Sequence, residues 1–347
     1  MRKLASVQRV LDIRPIDGAD FIEVAQINGW QSIVKKGEFQ KGDLGVYLEI
    51  DAVPPATPVF EFLWSPLVAP TPSFRIRTKK LRGVISQGVL LPCSVFPELF
   101  NGPNFLAPPD EGTDVTELLG VKKYEVPIKA MGVRSGEPPY GAFAADVPKT
   151  DEERLQSIGT KILDELRGNS YFAVEKCDGT SATFAIDADG VFRVYSRNWE
   201  IKEGENVYWN VARLHGIEKA LRNHPEMALQ GEICGPGIQK NRLGLERHEL
   251  RAFDLYSKRL GQYGGQLELE TFCDSYDIPM CRVIDHGPDF RHTQESLLTL
   301  AEGKYEGTKN EREGLVVRAA YPVHSYILGS RLSFKVISNR YLLKEED

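Results

Sequence analysis

The sequence predicts an α+β protein of two domains, and three observations support this fold class. The chain has 347 residues, of which 41% are hydrophobic and 27% charged, so it is long enough for two cores and too apolar for intrinsic disorder. Short strand patterns fill the first part, whereas helical and strand patterns mix in the second. Prolines and glycines without a regular period separate them at residues 126–149. We therefore predict a first domain at residues 1–125, a linker, and a second domain at residues 150–347.

The first domain is predicted to be a small β-barrel. The segments rich in β-branched and aromatic residues, as strands are, are residues 22–27, 30–34, 45–50 and 84–91. Asp-Gly and Asn-Gly pairs punctuate this region and favour tight turns. About five short strands of this kind suit a small closed or partly open barrel. The proline-rich segment at residues 55–74 is predicted to be a long connection, neither helical nor paired in a sheet.

The second domain is predicted to contain helices between its strands. Thr150 and Glu153 form a capping-box pattern, and apolar residues then recur at helical spacing until Gly168. Further helices are predicted at residues 207–222, 267–276 and 293–302. Strands between these helices give the second domain its α+β character.

The charge of the chain limits the ways in which it could bind nucleic acid. A net charge of −6 argues against bulk electrostatic coating of a polynucleotide, which requires clustered Lys and Arg. The first domain nevertheless contains one basic run, formed by Arg75, Arg77, Lys79, Lys80 and Arg82. Two interpretations of this run remain open: a solvated edge strand whose charges prevent aggregation, or a surface that follows a phosphate backbone.

Cysteine, histidine and hydropathy patterns exclude several other classes of protein. The five cysteines are far apart and form no Cys-x-x-Cys pair, so reduced thiols are expected rather than a zinc ribbon or a disulfide framework. The six histidines show no metal-binding spacing. No apolar run approaches the roughly 18 residues of a membrane span, and the N-terminal residues lack a signal-peptide core. We therefore expect an intracellular, cytoplasmic protein that is monomeric and has no membrane partner.

One short motif in the second domain contains residues of the types that act in catalysis. In residues 171–183, YFAVEKCDGTSAT, an apolar strand leads to Lys176, and Asp178-Gly179 then turns the chain. Alone, this Lys-x-Asp-Gly pattern is more typical of an ordinary β-turn than of a catalytic motif. Five further peptides follow it in order: residues 195–198 (YSRN), 228–235 (ALQGEICG), 250–256 (LRAFDLY), 313–318 (EGLVVR) and 332–337 (LSFKVI).

This ordered set resembles motifs I, Ia, III, IIIa, IV and V of the covalent nucleotidyltransferase superfamily, which comprises DNA ligases, RNA ligases and mRNA capping enzymes. The resemblance begins at Thr150 and implies a nucleotidyltransferase domain of antiparallel sheets with flanking helices. The peptides GADFIEVAQINGW, FRIRTKKLRGVISQG and SFKVISNRYLLK resemble the Deinococcus-type RNA ligases, the fifth RNA ligase clade. That second resemblance implies that the first domain is an OB-like barrel that binds nucleic acid.

The resemblance makes Lys176 the nucleophile that attacks the α-phosphorus of ATP. A lysine of ordinary pKa, about 10.4, is neutral in only roughly one molecule in 2,500 at pH 7, so it requires help. A divalent cation, Mg²⁺ or Mn²⁺, supplies positive potential that lowers this pKa. The resemblance implies that Asp178, Glu232 and Glu313 hold this cation, through water molecules.

The same resemblance implies the other contacts of ATP. Arg197 and Lys335 are expected to face the triphosphate, Phe253 to stack on adenine, and Glu175 to read its polar edge. Phe253 could equally be a core residue of its strand. The full set of expected ATP-binding residues is Glu175, Lys176, Gly179, Arg197, Glu232, Phe253, Glu313 and Lys335. The set expected to act in catalysis is Lys176, Asp178, Glu232, Glu313 and Lys335.

Nucleic-acid contacts are expected on both domains. The expected residues are Arg75, Arg77, Lys79, Lys80, Arg82 and Arg154. Trp30 and Phe74 could add base contacts, although each is equally consistent with a core position. One departure from the family is that many ligases have a second lysine in motif V, where this chain has Ile337. Arg340 or Lys344 could replace that lysine.

The function implied is ATP-dependent RNA ligation in three nucleotidyl transfers. Lys176 forms a phosphoramide with AMP, the AMP moves to a 5′-phosphate end, and a 3′-hydroxyl displaces it to seal the break. The expected partner is nicked or broken RNA, with an RNA or DNA template. The open alternatives are a DNA ligase, a GTP-using capping-type enzyme, and a noncatalytic nucleic-acid-binding protein with a decayed catalytic domain. A DNA ligase is disfavoured because Thr180 and Ser181 replace the arginine that follows motif I in many DNA ligases.

Overall fold

A computed structural model describes residues 3–63, 74–100, 109–124 and 140–344. The chain divides into two compact units. The first unit comprises Met1–Glu125, Gln156–Thr160 and Leu342–Asp347, and the second comprises Val126–Leu155 and Lys161–Tyr341. Within the described residues, no helix is both long enough and apolar enough to cross a membrane.

The first unit is built mainly from strands. These strands are β1 (Ala5–Pro15), β2 (Ile22–Ile27), β3 (Trp30–Lys35), β4 (Leu44–Leu48), β5 (Ala52–Val53), β6 (Lys79–Leu81), β7 (Val84–Ser86), β8 (Val89–Pro92) and β9 (Lys122–Lys123). Short 3-10 helices lie at Pro58–Leu63, Cys93–Val95 and Pro97–Phe100.

The first unit forms the OB-type sheet that the sequence predicts. Five strands pair in the order β3-β2-β1-β4-β8, with every pair antiparallel. The long strand β1 takes part in two pairings, and its register with β2 shifts between Val10 and Asp12, where a bulge bends the strand. Alternate residues such as Val7, Val46 and Leu48 point into a buried apolar core.

The predicted strand at residues 84–91 is two strands, β7 and β8. The chain breaks at Gly88, whose φ of 78° lies in the left-handed region. A Cβ at this position would lie 2.5 Å from the carbonyl oxygen of Leu48, so a side chain would not fit. The sequence pattern did not reveal this break because apolar residues continue on both sides of it.

The second unit contains the remaining strands of the described residues and their α-helices, except for parts of the first and last α-helix. Its strands are β10 (Gly141–Ala142), β11 (Tyr171–Lys176), β12 (Thr180–Ile186), β13 (Phe192–Tyr195), β14 (Trp199–Glu200), β15 (Met227–Cys234), β16 (Glu249–Ser257), β17 (Gln262–Tyr263), β18 (Val283–Gly287), β19 (Gly314–Ala319), β20 (His324–Ser325), β21 (Ser330–Arg331) and β22 (Ser333–Ile337). The helices are α1 (Leu155–Ile158), α2 (Lys161–Leu166), α3 (Val207–Leu214), α4 (Ile217–Asn223), α5 (Gln266–Ser275), α6 (Gln294–Ala301) and α7 (Asn339–Lys344).

Two antiparallel sheets with flanking helices organise the second unit, as predicted. One has seven strands in the order β10-β14-β13-β12-β15-β16-β17, and the other has four in the order β18-β11-β19-β22. Helices α3, α4 and α5 bury their apolar residues against the seven-stranded sheet, where Trp209, Leu221 and Phe272 join Phe184 and Leu229 in one core. This core fixes β12 and β15, which carry part of the candidate site.

Glycines interrupt two of the predicted helices. The helix expected before Gly168 consists of α1 and α2, which are separated at Gly159, where φ is 89°. The helix predicted at residues 207–222 is likewise two helices, α3 and α4, with Gly216 at a φ of 59° between them. Left-handed glycine ends a helix even where apolar periodicity continues.

The predicted capping box at Thr150 and Glu153 is wrong. Helix α1 begins only at Leu155. The Thr150 hydroxyl instead lies 2.6 Å from the Ser181 hydroxyl, and the Glu153 carbonyl accepts a hydrogen bond of 2.8 Å from the Lys335 N–H. Long-range pairing therefore replaces local capping in this segment.

Two predicted connections lie partly outside the described residues. Of the proline-rich segment, residues 64–73 are outside them, whereas Pro58–Leu63 is a 3-10 helix that buries Phe60, so this part is helical, contrary to prediction. Of the predicted linker, residues 126–139 are outside them. Gly141–Ala142 pairs with Trp199–Glu200 as the edge of the seven-stranded sheet, so this part of the predicted linker belongs to the second unit's structure.

Candidate active site

Lys176 ends strand β11 and points its ammonium group at a carboxylate. Its Nζ lies 2.8 Å from each carboxylate oxygen of Glu313. The two residues meet because Lys176 pairs with Gly314 across β11 and β19. Gly314 is required there, since a Cβ would lie 2.1 Å from the carbonyl oxygen of Val336 on β22. Two of the six motif peptides are therefore joined at the amine.

Two further carboxylates approach the same amine. Asp178 is buried just after β11, and Glu232 lies on β15, where it pairs with Ser181 of β12. Gly179 permits this close packing, because a Cβ there would lie 2.4 Å from the carbonyl oxygen of Ile233. The glycine of the Lys-x-Asp-Gly motif thus has a steric reason: it lets the β15 carboxylate approach the nucleophile.

The pKa values of this cluster reflect its crowding. Burial, supported by the negative charges of Glu313 and Asp178 and opposed by the charge of Lys176, raises the pKa of Glu232 to about 8. Burial and the charge of Glu313 raise the pKa of Asp178 to about 6. Burial alone would lower the pKa of Lys176, but the charges of Glu313, Glu232 and Asp178 outweigh it and raise that pKa above its ordinary value. The protein alone therefore keeps the amine protonated, which is the opposite of what a nucleophile requires.

The carboxylate cluster fits a divalent cation. The raised pKa values of Asp178 and Glu232 indicate that neighbouring positive charge does not fully offset burial and the other carboxylates. A bound dication would stabilise these carboxylates in their ionised form. Within the described ranges, no three His, Cys, Asp or Glu side chains are arranged to ligate a metal ion directly. Asp178, Glu232 and Glu313 would hold such a cation, and contact through water molecules stays a prediction of the resemblance. A bound cation would also reverse the electrostatic effect on Lys176.

Phe253 occupies a β-bulge. In the pairing of β15 with β16, Gln230 lies opposite Asp254 and Gly231 lies opposite Ala252, so Phe253 is the extra residue. A bulge of this kind redirects a side chain and is common beside active sites. The half-buried ring packs against an apolar cluster that includes Val316 of β19. Phe253 is therefore not a regular core position of its strand.

Lys335 lies on the same sheet as the nucleophile. Val174 on β11 pairs with Val316 on β19, and Val316 pairs with Lys335 on β22. On their own strands, Val174 and Val316 each lie two residues from Lys176 and its partner Gly314, respectively. Since residues two apart share a face, Lys176 and Lys335 lie on one face of the four-stranded sheet. Ile337, at the position of the expected second lysine, is buried. Arg340 forms an ion pair of 2.8 Å with Glu302.

Arg197 and Glu175 are two further predicted ATP contacts. Arg197 is half exposed after β13 and forms an ion pair with Asp151. Glu175 alternates with Lys176 along β11 and therefore faces the opposite side of the sheet. Burial raises the pKa of Glu175 to about 7, and its Oε1 has no hydrogen-bond partner in the described part of the chain.

The predicted nucleic-acid residues of the first unit separate into two groups. Arg75 forms an ion pair of 2.7 Å with Asp51 and lies 4.6 Å from the ring centroid of Tyr124, so it has structural partners. Arg77, Lys79, Lys80 and Arg82 are exposed on and beside the hairpin of β6 and β7. Arg82 and Gly83 both have positive φ, as a type I′ turn requires.

Three other predicted contacts have clear positions. Trp30 is 1% exposed, and Phe74 packs against the core of the first unit, so their core interpretation is correct. Arg154, in the second unit, pairs through its backbone with Lys335 in a parallel bridge. Arg154 is therefore joined to strand β22, which carries Lys335.

Sequence reasoning missed three residues that hold the site. Arg242 lies 3.0 Å from the Asp178 carboxylate and 4.5 Å from the ring centroid of Tyr341, which also hydrogen-bonds Asp178. The Tyr305 hydroxyl donates to the Lys176 carbonyl at 2.8 Å and accepts from the Glu313 N–H at 3.1 Å. Arg242 and Tyr305 lie outside the motif peptides, and Tyr341 lies in the SFKVISNRYLLK peptide but had no predicted role, because no local pattern indicates such long-range contacts.

Tyr305→Phe is expected to destabilise the protein. The change keeps the buried ring but removes both hydrogen bonds that join the strand of Lys176 to Glu313. Leaving these backbone groups unsatisfied should lower the free energy of unfolding by about 1–3 kcal/mol, measured by urea denaturation. Tyr326→Phe is the matched control, because Tyr326 is 89% exposed. Equal stabilities of the two variants would contradict this role.

Comparison with known proteins agrees with this architecture. A family model described as an OB-fold domain matches residues 4–93, and the RNA ligase family model matches residues 169–337. The structure of Naegleria gruberi RNA ligase with pyrophosphate is 34% identical, covers 100% of both chains and has a TM-score of 0.88. A mutant of that ligase with ATP and Mn gives the same identity, coverage and TM-score. Another mutant, with AMP and Mn, is 34% identical over 100% of this chain and 99% of the other, with a TM-score of 0.87.

The fold is thus an OB-fold domain followed by a ligase-type nucleotidyltransferase domain. The chain belongs to the RNA ligase family.

Proposed function

We propose that this protein is an ATP-dependent RNA ligase that joins 3′-hydroxyl and 5′-phosphate ends through a lysyl-AMP intermediate on Lys176. The observation that carries the proposal is the convergence of Glu313, Asp178 and Glu232 on this one amine. The solved Naegleria structures with ATP and Mn, with AMP and Mn, and with pyrophosphate support the nucleotide and the cation.

In the first step, the Lys176 amine attacks the α-phosphorus of ATP, a P–N bond forms, and pyrophosphate leaves. A divalent cation, when bound, offsets the carboxylate charges and lowers the lysine pKa. Glu313 is placed to take the ammonium proton, because both of its oxygens lie 2.8 Å from Nζ. Lys335, on the same sheet face, supplies positive charge to the phosphates, and the bulged Phe253 stacks on adenine.

In the two later steps, the adenylyl group passes from Lys176 to a 5′-phosphate, and a 3′-hydroxyl then displaces AMP. We assign residues 150–347 to this chemistry and residues 1–125 to RNA binding. The substrate is a nick in a duplex, and the protein belongs to the Deinococcus-type clade. Support for the clade comes from the peptides of the first unit and the closing SFKVISNRYLLK peptide.

Incubation with α-labelled ATP or GTP tests the assignment. The proposal expects label retained on the denatured protein from ATP, and not from GTP, in the presence of Mn²⁺. Retention from GTP alone would indicate a capping-type enzyme. Sealing of nicks with ribose, compared with deoxyribose, at the 3′-hydroxyl side distinguishes an RNA ligase from a DNA ligase.

Neutralising the basic hairpin is expected to weaken RNA binding without affecting lysine adenylylation. The triple variant Arg77→Ala, Lys80→Ala, Arg82→Ala removes three exposed charges of this hairpin region. If each residue contacts one phosphate, the slope of log K against log salt concentration for binding nicked duplex RNA should become less negative by about 2–3. Fluorescence anisotropy measures this slope.

The control for the hairpin variant removes the same charge elsewhere. Lys161, Lys219 and Arg259 are exposed on the second unit, and their triple alanine variant should leave the salt dependence unchanged. The hairpin variant should also lose more activity on 5′-phosphate ends than on preadenylylated ends. An equal loss on both substrates would contradict a role in presenting the 5′-phosphate.

A further inference from the structure

Three buried thiols from separate elements meet beside the nucleophile. Cys177 immediately follows Lys176, Cys234 ends β15, and Cys281 lies two residues before β18. They are 3%, 1% and 8% exposed, respectively, and all three are free cysteines within one apolar cluster. The proposed ligation chemistry uses none of them.

Cys177 and Cys281 are positioned to react with each other. Their Sγ atoms are 3.7 Å apart, although 104 positions separate them in the sequence. A disulfide requires an S–S distance of about 2.05 Å, so the sulfur atoms would have to approach by about 1.6 Å. Side-chain rotation together with a shift of the backbone would have to supply this movement.

Hydrogen bonds hold the backbone around Cys281, and Cys177 lies just beyond the end of a paired strand. The Cys281 N–H donates to the Ala252 carbonyl at 2.8 Å, and the next carbonyl, of Arg282, accepts from the Glu175 N–H at 2.7 Å. Strand β11 ends at Lys176, whereas Cys177 and Asp178 lie beyond its regular pairing. Closing the sulfur pair would therefore strain the peptide that joins Lys176 to Asp178, whose two ends are held by Tyr305 and Arg242.

We propose that Cys177 and Cys281 form a reversible disulfide that stops adenylylation of Lys176. With hydrogen peroxide as oxidant, one thiolate attacks a peroxide oxygen, giving a sulfenic acid and water. The second thiol then attacks the sulfenic sulfur, the S–S bond forms, and a second water leaves. The pair loses two electrons and two protons, and a dithiol reductant reverses the reaction by thiol–disulfide exchange.

The disulfide inhibits because Cys177 lies between two residues of the reaction. A displacement of the reacting groups by about 1 Å can lower a rate by about 100-fold. The oxidised protein should therefore adenylylate Lys176 at least about 100-fold more slowly. The effect on activity rests on the proposed function, whereas the formation of the cross-link does not.

The test is performed on the full-length protein. It is treated with hydrogen peroxide, quenched with catalase, blocked with N-ethylmaleimide, and digested without reduction for mass spectrometry. The expected result is a peptide that joins Cys177 to Cys281, with adenylylation lost in parallel and restored by dithiothreitol. Peptide mapping alone shows whether the cross-link forms. A protein that never accepts AMP would therefore refute the proposed function but would not refute the disulfide between Cys177 and Cys281.

Matched variants separate this pair from general oxidation. Cys281→Ala, with Cys281→Ser as a second variant, should resist inactivation by peroxide. Cys273→Ala should remain as sensitive as the parent, because Cys273 lies on α5 in a different core. The proposal is overturned by five free thiols after oxidation, by a cross-link from Cys177 to Cys234, or by a Cys177–Cys281 cross-link that leaves adenylylation unchanged.

Discussion

Lys176→Ala is expected to abolish adenylylation of the protein. The amine is the only group at this position that can form the P–N bond, and removal of a nucleophile typically lowers a rate by about 10⁴-fold or more. The rate of AMP transfer from labelled ATP, measured in single-turnover experiments with Mn²⁺, should fall at least that far. Sealing of 5′-phosphate RNA should disappear with it.

The same variant should still join preadenylylated RNA. In the final step a 3′-hydroxyl displaces AMP from the RNA end, so no bond to Lys176 forms or breaks. Lys161→Ala is the control, because Lys161 is an exposed lysine on α2, and it should behave as the parent on both substrates. Adenylylation of the Lys176→Ala variant at the parental rate would show that another residue is the nucleophile.

Removal of the divalent cation is expected to have the second largest effect. Without it, the carboxylates hold Lys176 protonated, as the raised pKa of that lysine indicates. Loss of several kcal/mol of charge stabilisation corresponds to a rate decrease of about 10³-fold or more. Chelation by EDTA should therefore stop adenylylation, and added Mg²⁺ or Mn²⁺ should restore it.

The requirement for cation should depend on pH in a defined direction. In the cation-free protein, burial and neighbouring charge raise the pKa of Glu232 to about 8, so below that pH its carboxyl group is mostly protonated. Cation binding favours the ionised carboxylate and must displace this proton. The Mg²⁺ concentration for half-maximal adenylylation should therefore fall as pH rises from 6.5 to about 8, by up to about tenfold per unit, and then level off.

Glu232→Gln should remove most of this pH dependence and raise the Mg²⁺ requirement. The matched control is Glu306→Gln, because Glu306 is 78% exposed and its nearest charged partner is Arg282, 3.5 Å away. An identical response of the two variants would contradict the placement of Glu232 at the cation.

Much of this architecture could be predicted because it depends on local patterns. Turn residues and β-branched residues indicated β2, β3, β4 and the region of β7 and β8, whereas the long strand β1 was not predicted. The motif peptides indicated Lys176 and its carboxylates. The reason for Gly179 could not be predicted, because it depends on the approach of Ile233 from another strand. The same holds for Phe253, since a bulge is defined only by the register of two strands.

Charge and aromatic character predicted the positions of individual side chains less well than the residue pattern predicted the strands. Five basic residues in one run predicted a common role, yet Arg75 is paired with Asp51 while its neighbours are exposed. Trp30 could be assigned to a surface or a core from sequence, and only the packing of the first unit places it inside. Arg242 and Tyr305 act on motif residues from distant parts of the chain, which a sequence without tertiary contacts cannot reveal.

The most direct measurement locates the adenylyl group. The protein is incubated with ATP and Mn²⁺, denatured, digested and analysed by tandem mass spectrometry under conditions that preserve a phosphoramide. We predict one modified peptide, carrying AMP on Lys176 and absent from the EDTA-treated sample. AMP found on another side chain, or no covalent AMP in a protein that nevertheless seals RNA, would contradict the account.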